Sequence, residues 1–231
     1  MSQIEVERPD TLSRKIFDGL CREITSGKLK PGAVLSRRKI AAAYGTSYVP
    51  VIEAMVRLEA TGLIETESSQ MARVCRVSVE PIQETYVLRE AYETQAIRLA
   101  CQYATSQEID ELYQMAEDVE RRVPSQETAS NQQAIEAGLR VHWHFHRRIA
   151  EISRCPLLVR ELERIELHQR LRANWIYIPE MLDPPRQHTL LVDAIKVADA
   201  DAADTVMRAH VGLGLEKELH NYKQQSTRRR D

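Results

Sequence analysis

The first third of the chain carries apolar residues at the spacing of short amphipathic helices. Leucine and isoleucine recur in TLSRKIFDGLCREITSG at this spacing, which predicts a first helix that ends at Gly27. SRRKIAAAYG predicts a second helix capped by Ser36. TSYVPVIEAMVRLEATG predicts a third helix, which Gly62 closes.

Two other segments of this part do not have a helical pattern. KLKPGAVL, between the first two helices, is predicted to be a turn. LIETESSQMARVCRVSV alternates and is rich in β-branched residues, which predicts a two-stranded hairpin with its tip near residues 68–72. Three short helices and a hairpin together predict a winged helix-turn-helix at residues 1–79.

The rest of the chain, residues 80–231, predicts an all-α antiparallel bundle of about six helices. Glycine and other breakers are scarce here, and the predicted helices lie near 80–104, 106–123, 130–153, 156–178, 184–199 and 201–223. Breaks are predicted between them at Thr105, Pro124, Pro156, Pro179 and Pro184. The predicted fold class is therefore mainly α, with two domains.

Composition favours a soluble protein of the cytoplasm. The chain is 43% hydrophobic and 29% charged, and it has no apolar run close to the roughly 20 residues of a membrane helix. MSQIEVERPD lacks the features of a secretory signal. The four cysteines are far apart and form no CxxC pair, which argues against a thiolate metal site.

Charge is distributed unevenly along the chain. Residues 8–78 contain 12 Lys and Arg against 7 Asp and Glu, whereas residues 81–231 contain 20 against 24. A basic N-terminal part on an acidic body suggests that the helix-turn-helix binds nucleic acid. The alternative is a solvated basic face on an interaction domain.

The third predicted helix is the candidate for base recognition. In a helix-turn-helix, the N-terminal end of the second helix of the motif enters the major groove. That end carries Ser47, Tyr48 and Ile52, which present a mostly neutral face to the bases. Basic side chains elsewhere in this domain are candidates for phosphate contacts, namely Arg37, Arg38, Lys39, Arg57, Arg73 and Arg76.

The segment SGKLKPGAVLSRRKIAAAYGTSYVPVIEAMVRLEATGLIE resembles the DNA-binding domain of the GntR superfamily of bacterial transcription regulators over about 40 positions. Arg38 matches the arginine of the helix before the recognition helix. Tyr48 and Ile52 stand where the family has arginines, and Met71 stands where it has a glycine in the wing. Because bidentate arginines read guanine, the operator is expected to differ from the family's usual one. The alternative is that DNA binding is weakened or lost.

HWHFHRR contains three histidines at alternate positions, which could be a metal site, a solvated surface or chance. His142 and His146 are four residues apart and therefore share one helix face. His144 lies about 200° around the helix from His142 and is expected to face elsewhere.

The acidic part resembles the FCD effector-binding domain of the FadR-type branch of the same superfamily. LREAYETQAIRLAC matches its opening R-x-x-x-E helix with Arg89 and Glu93. The resemblance implies a divalent metal inside the bundle and, position by position, the ligands His142, His146, His188 and His210. His142 stands where the family has Asp, so the set is all-nitrogen and favours Zn²⁺ or Ni²⁺ over Mg²⁺. The alternative is four histidines that are ordinary core or surface residues.

The resemblance also implies a small carboxylate effector beside the metal. Arg89, and Arg172 in HQRLRANW, could supply a guanidinium for it. The alternative for Arg89 is an ion pair with Glu93 one turn on.

The implied protein is a homodimeric regulator, a repressor of a double-stranded DNA operator, and not an enzyme. One rival is a metal-responsive regulator, and another is a helical binding module that has lost its operator. A third is a metal-dependent enzyme built on the histidines, but HWHFH lacks the glutamate base of HExxH.

Overall fold

A computed structural model describes residues 9–68, 71–122, 132–176 and 186–228 of the chain. The chain separates into two compact units. The first consists of the residues up to Val77 together with Leu167–Trp175, and the second consists of Ser78–Glu166 and the residues from Ile176 onward.

The first unit contains the predicted winged helix-turn-helix, which is confirmed. Its elements are α1 (Pro9–Thr25), β1 (Val34–Ser36), α2 (Arg37–Ala43), α3 (Tyr48–Ala60), β2 (Ile64–Thr66) and β3 (Met71–Val74). The Ser36 hydroxyl accepts a hydrogen bond from the backbone N–H of Lys39 and so caps α2 as predicted. Gly62 adopts a φ of 72° just after α3, where a side chain would be strained.

The prediction that KLKPGAVL is only a turn is wrong at its end. Val34 and Leu35 belong to β1, which pairs antiparallel with β3 so that Val34 is opposite Arg73 and Leu35 is opposite Ala72. The sheet order is therefore β1-β3-β2. The hairpin tip was predicted near residues 68–72, but Ala72 is already paired in β3, and residues 69–70 lie outside the described part.

The core of the first unit lies between the helices and this small sheet. Its fully buried side chains come from α1, α3 and the strands, and include Ile16, Ile24, Met55, Leu58 and Ile64. Leu171, from the segment Leu167–Trp175, is buried in the same cluster. Each apolar residue fully removed from water contributes about 1.5–3 kcal/mol of stabilisation. This core fixes the inner face of α3 and leaves its other face to solvent.

The second unit is helical, as predicted. Its helices are α4 (Val79–Tyr103), α5 (Ser106–Arg121), α6 (Gln132–Ile152), the first part of α7 (Pro156–Ile176), α8 (Gln187–Val197) and α9 (Ala200–Arg228). Each helix corresponds to one predicted segment, and Pro156 begins α7. The breaks predicted at Pro124, Pro179 and Pro184 lie outside the described residues.

Five helices of the second unit pack against one another. α4 packs against α6, α8 and α9, and α5 packs against α6 and α8. Thr105 and Glu108 form a capping box at the start of α5, which ends the preceding helix sharply. Among the described residues, no helix is long and apolar enough to cross a membrane.

Candidate functional site

Four histidines converge in the interior of the second unit. His142 and His146 lie one turn apart on α6, His188 lies in the first turn of α8, and His210 lies on α9. One ring nitrogen from each lies within 4.8 Å of the corresponding nitrogens of the other three. His146, His188 and His210 are buried, and His142 is partly exposed. The spacing fits a single ion shared by four imidazoles.

The ring nitrogens of this cluster lack ordinary partners. His188 is buried, and neither of its ring nitrogens has a hydrogen-bond partner among the described residues. His210 Nδ1 is also buried and unpaired, while His210 Nε2 lies 3.1 Å from His146 Nε2. Buried polar atoms without partners are rare because desolvation is costly. The donor set therefore fits a metal ion, and the four histidines could hold one.

Burial keeps three of these imidazoles, those of His142, His188 and His210, neutral near pH 7. Burial, reinforced by the neighbouring His146 and His188, lowers the pKa of His210 well below its usual value. Burial lowers the pKa of His142 in the same way. Burial and the adjacent His146 lower the pKa of His188 to about 3. A neutral imidazole is the form that binds a metal, so no proton has to be displaced from these rings before binding.

A buried carboxylate contacts the cluster from α4. Glu93 Oε2 lies 2.7 Å from His146 Nδ1, and Arg89 Nε donates a hydrogen bond of 2.7 Å to Glu93 Oε1. Burial raises the pKa of Glu93, but Arg89 and His146 outweigh it and hold that pKa well below the usual range. The ionised carboxylate favours a proton on His146 Nδ1, which leaves Nε2 free to face the other histidines.

Arg89 is a buried cation beside the histidine cluster. Its guanidinium carbon lies 4.9 Å from the ring centres of both Tyr86 and Trp143. Burial lowers the pKa of Arg89, but the charge of Glu93 outweighs this and the net pKa is raised. From the sequence, an ion pair with Glu93 is the alternative to an effector role for Arg89, and this ion pair is present. The residue is nevertheless connected to the histidines through that carboxylate.

The remaining predicted residues of the helical part lie elsewhere. His144 is exposed on α6 and does not belong to the cluster. Arg172 is buried in the first unit, within the segment Leu167–Trp175, whereas all four histidines belong to the second. The effector role of Arg172 stays a prediction.

In the first unit, the predicted reading residues lie on the exposed face of α3. Ser47, Tyr48 and Ile52 are all exposed. They lie at or near the beginning of the helix, the end that enters the major groove in helix-turn-helix proteins. Ser47 is the N-cap residue, and its side chain makes no capping hydrogen bond.

The predicted phosphate-binding residues separate into two groups. Arg38 and Lys39 on α2 and Arg57 on α3 are exposed, and the Arg57 guanidinium lies 4.3 Å from the centre of the Phe17 ring. Arg37 is partly buried. Arg73 is already engaged, because it donates hydrogen bonds to both carboxylate oxygens of Glu67 and to the carbonyl of Gly32. These bonds join β3 to Glu67 and to the turn at Gly32, and the phosphate contact of Arg73 stays a prediction.

The sequence predicted only one role for Glu93, which was an ion pair with Arg89. The contact between Glu93 and His146 joins α4 to α6 across 53 positions, and no local spacing indicates it. The R-x-x-x-E spacing placed Arg89 and Glu93 on one helix face, but it did not show that this face is turned toward the histidines.

The first unit is a winged helix with an exposed recognition helix and exposed cations, and a helical unit follows it. This arrangement is that of a DNA-binding transcription regulator. Residues 12–74 match the bacterial regulatory proteins of the gntR family, and residues 84–213 match the FCD domain. The chain belongs to the GntR family of regulators that carry an FCD domain.

Individual relatives agree with this assignment. The chain is 25% identical over 204 residues to the HTH-type transcriptional repressor RspR of Escherichia coli, covering 87% of this chain and 86% of that protein. It is 28% identical over 197 residues to the HTH-type transcriptional regulator McbR of E. coli, covering 83% of this chain and 85% of that protein.

A solved structure, E. coli McbR/YncC, is similar in fold, with a TM-score of 0.71, 24% identity and coverage of 91% of this chain and 98% of that one. The protein is thus a DNA-binding transcriptional regulator. The prediction that it is not an enzyme is confirmed by its family and relatives.

Proposed function

We propose that this protein is a repressor whose affinity for its operator is controlled by a small organic acid bound next to a divalent metal in the second unit. The observation that carries the proposal is the group of four converging histidines with buried, unpaired ring nitrogens. Among the described residues, neither ring nitrogen of His188 nor Nδ1 of His210 has a hydrogen-bond partner, and a divalent ion would take one nitrogen from each of the four rings.

The chemistry of the donors favours a nitrogen-preferring ion. Four imidazole nitrogens suit Zn²⁺ or Ni²⁺ better than Mg²⁺, which prefers oxygen ligands. No ligand in the set is charged, so an ion held there keeps its full positive charge, apart from the influence of Glu93 behind His146. An anionic effector is therefore attracted to this site by the ion, whereas the charge of the buried Arg89 is balanced by Glu93.

The operator side of the proposal follows from the helix-turn-helix. We propose that the protein acts as a homodimer on a pseudo-palindromic duplex, because two-fold symmetric regulators bind paired half-sites about one helical turn apart. The effector acts only through different affinities for two arrangements of the protein. Arg38, Lys39 and Arg57 are the proposed phosphate contacts, since all three are exposed in the first unit.

A combined binding experiment tests the proposal. Thermal unfolding of the full chain is measured with acetate, lactate, succinate and citrate, each with Zn²⁺ and with a chelator. A carboxylate at 100 times its Kd is expected to add about 2.7 kcal/mol of stability, and only when metal is present. The same carboxylate should change the affinity for the DNA upstream of the protein's own gene. Stabilisation that survives the chelator would contradict a metal-assisted acid site.

A metal-responsive regulator is the second candidate, and one observation favours it. The Arg89 guanidinium is already bound by Glu93 at 2.7 Å, so it is not freely available to an incoming carboxylate. In this case the ion itself is the signal. DNA affinity would then change with Zn²⁺ or Ni²⁺ alone, and no carboxylate of the panel would change it further.

His142→Asp tests the residue that departs from the family pattern. An aspartate at this position can still ligate the ion, so metal binding is expected to persist. The new negative charge cancels one unit of the ion's charge, so the affinity for the anion should fall. Isothermal titration with Zn²⁺ and then with the best carboxylate of the panel measures both.

His144→Asp is the matched control, because it makes the same change on the exposed side of the same helix. It should leave both affinities unchanged. If His142→Asp also leaves the anion affinity unchanged, His142 does not contact the ion.

A further inference from the structure

Four exposed apolar side chains form a stripe along α3. This apolar stripe consists of Tyr48, Val49, Ile52 and Val56, with exposed fractions of 47%, 59%, 38% and 57%. At 100° per residue, the four positions fall within about 100° of the helix circumference. They therefore form one continuous surface on the outer side of the helix.

The stripe is not a part of the core that has been left uncovered. The inner face of α3 supplies Val51, Ala54, Met55 and Leu58 to the core of the first unit, and these are all fully buried. The helix thus has an apolar face on both sides. A continuous apolar patch on an otherwise polar helix surface marks an interaction site.

The surroundings of the stripe indicate what covers it. Arg38 and Lys39, on the helix before α3, and Arg57, on α3 itself, are exposed cations of the same unit. A unit that carries both exposed cations and an exposed apolar surface suits a polyanion whose groove has apolar groups. In the major groove of DNA that group is the C5-methyl of thymine, which apolar side chains contact directly.

We propose that the apolar stripe reads thymine methyl groups, so that each half-site of the operator presents thymines to Tyr48, Val49 and Ile52. An arginine at position 48 or 52 would instead select guanine through its O6 and N7 atoms. The stripe has no guanidinium for such a contact. Specificity for thymine then comes from burying its methyl group against the stripe, and each methyl group contributes modestly to the binding free energy.

Replacing thymine by deoxyuracil isolates this contribution. The substitution removes only the methyl group and leaves the base pair and its hydrogen-bonding groups intact. The full-length protein first selects its preferred sites from a random duplex pool. Each thymine of the selected site is then replaced in turn. We expect the Kd to rise about three- to fivefold at the contacted positions, the equivalent of one buried carbon.

Protein variants show which side chain contacts which thymine of the selected site. Val49→Ala and Ile52→Ala should weaken binding to the thymine site, and at the contacted position each should lose its sensitivity to deoxyuracil. Val87→Ala is the matched control, because Val87 is an exposed helical valine of the second unit. It should bind both duplexes as the parent protein does.

Three outcomes would overturn the inference. The selected sites could contain only G·C pairs at the discriminating positions, or deoxyuracil could have no effect at any position. The third is that Ile52→Ala changes self-association in sedimentation velocity but not DNA affinity, in which case the stripe is an interface between two copies of the chain. Selection of thymine together with a methyl effect that depends on Val49 or Ile52 supports the inference.

Discussion

Replacing His188 by glutamine is expected to abolish stoichiometric metal binding. His188 is buried, and both of its ring nitrogens lack partners among the described residues, so ligation is the role that explains its position. Loss of a group that only orients a ligand weakens metal binding by about 10–100-fold. Loss of a ligand should therefore weaken it by more than about 100-fold. Zn²⁺ titration against a chelating dye, with elemental analysis of the purified protein, measures this.

His144→Gln is the control, because it makes the same change on the exposed side of α6. It should keep one ion per chain with unchanged affinity. The stability of the metal-free proteins separates a ligand from an ordinary core histidine. Since His188 has unsatisfied nitrogens, the metal-free His188→Gln variant should be about as stable as the metal-free parent. If the variant keeps its ion, or if it is strongly destabilised without metal, the ligand role is wrong.

Much of the fold was predictable because the buried face of a helix appears in the sequence as apolar residues three or four positions apart. The apolar period and the breaks at Thr105 and Pro156 indicated the helices of the second unit, and Ser36 and Gly62 marked ends of helices in the first. β1 was not predictable in this way. It has three residues, too few for a period, and its partner β3 lies more than 30 positions later in the chain. Strand pairing of this kind is decided by the tertiary fold.

The site was predictable only in part. The spacing of His142 and His146 places them on one face of a helix, whereas His188 and His210 were assigned by resemblance to a family. Nothing local to either residue indicates that α8 and α9 bring them together. The charge of Arg73 predicts a phosphate contact, but the sequence does not indicate that Glu67 accepts hydrogen bonds from it. Partners between distant elements must be taken from the structure.

Glu93→Gln is expected to lower both stability and metal affinity. The change leaves the buried Arg89 without an opposite charge, and breaking one partner of a buried ion pair destabilises a protein by about 3–5 kcal/mol. The new amide also donates toward His146 Nδ1, which then has to accept. The ring proton moves to Nε2, the nitrogen that faces His210. Metal affinity should therefore fall by about 10–100-fold.

Denaturant unfolding of the metal-free protein and Zn²⁺ titration measure the two effects. Nitrogen chemical shifts of the His146 ring report the change of tautomer, which a purely structural role would not produce. Glu90→Gln is the matched control, because Glu90 lies on the same helix and pairs with Arg208 at the surface. It should change neither quantity appreciably.

A double variant keeps the test informative if Glu93→Gln does not fold. Replacing Arg89 by methionine in the same chain removes the unpaired cation, so stability should recover while the amide still faces His146. Metal affinity should remain below that of the parent, because a neutral amide at position 93 does not favour the proton on His146 Nδ1 as the ionised carboxylate does. If the double variant binds Zn²⁺ as tightly as the parent, Glu93 does not position His146, and its contact with the ring only balances the charge of Arg89.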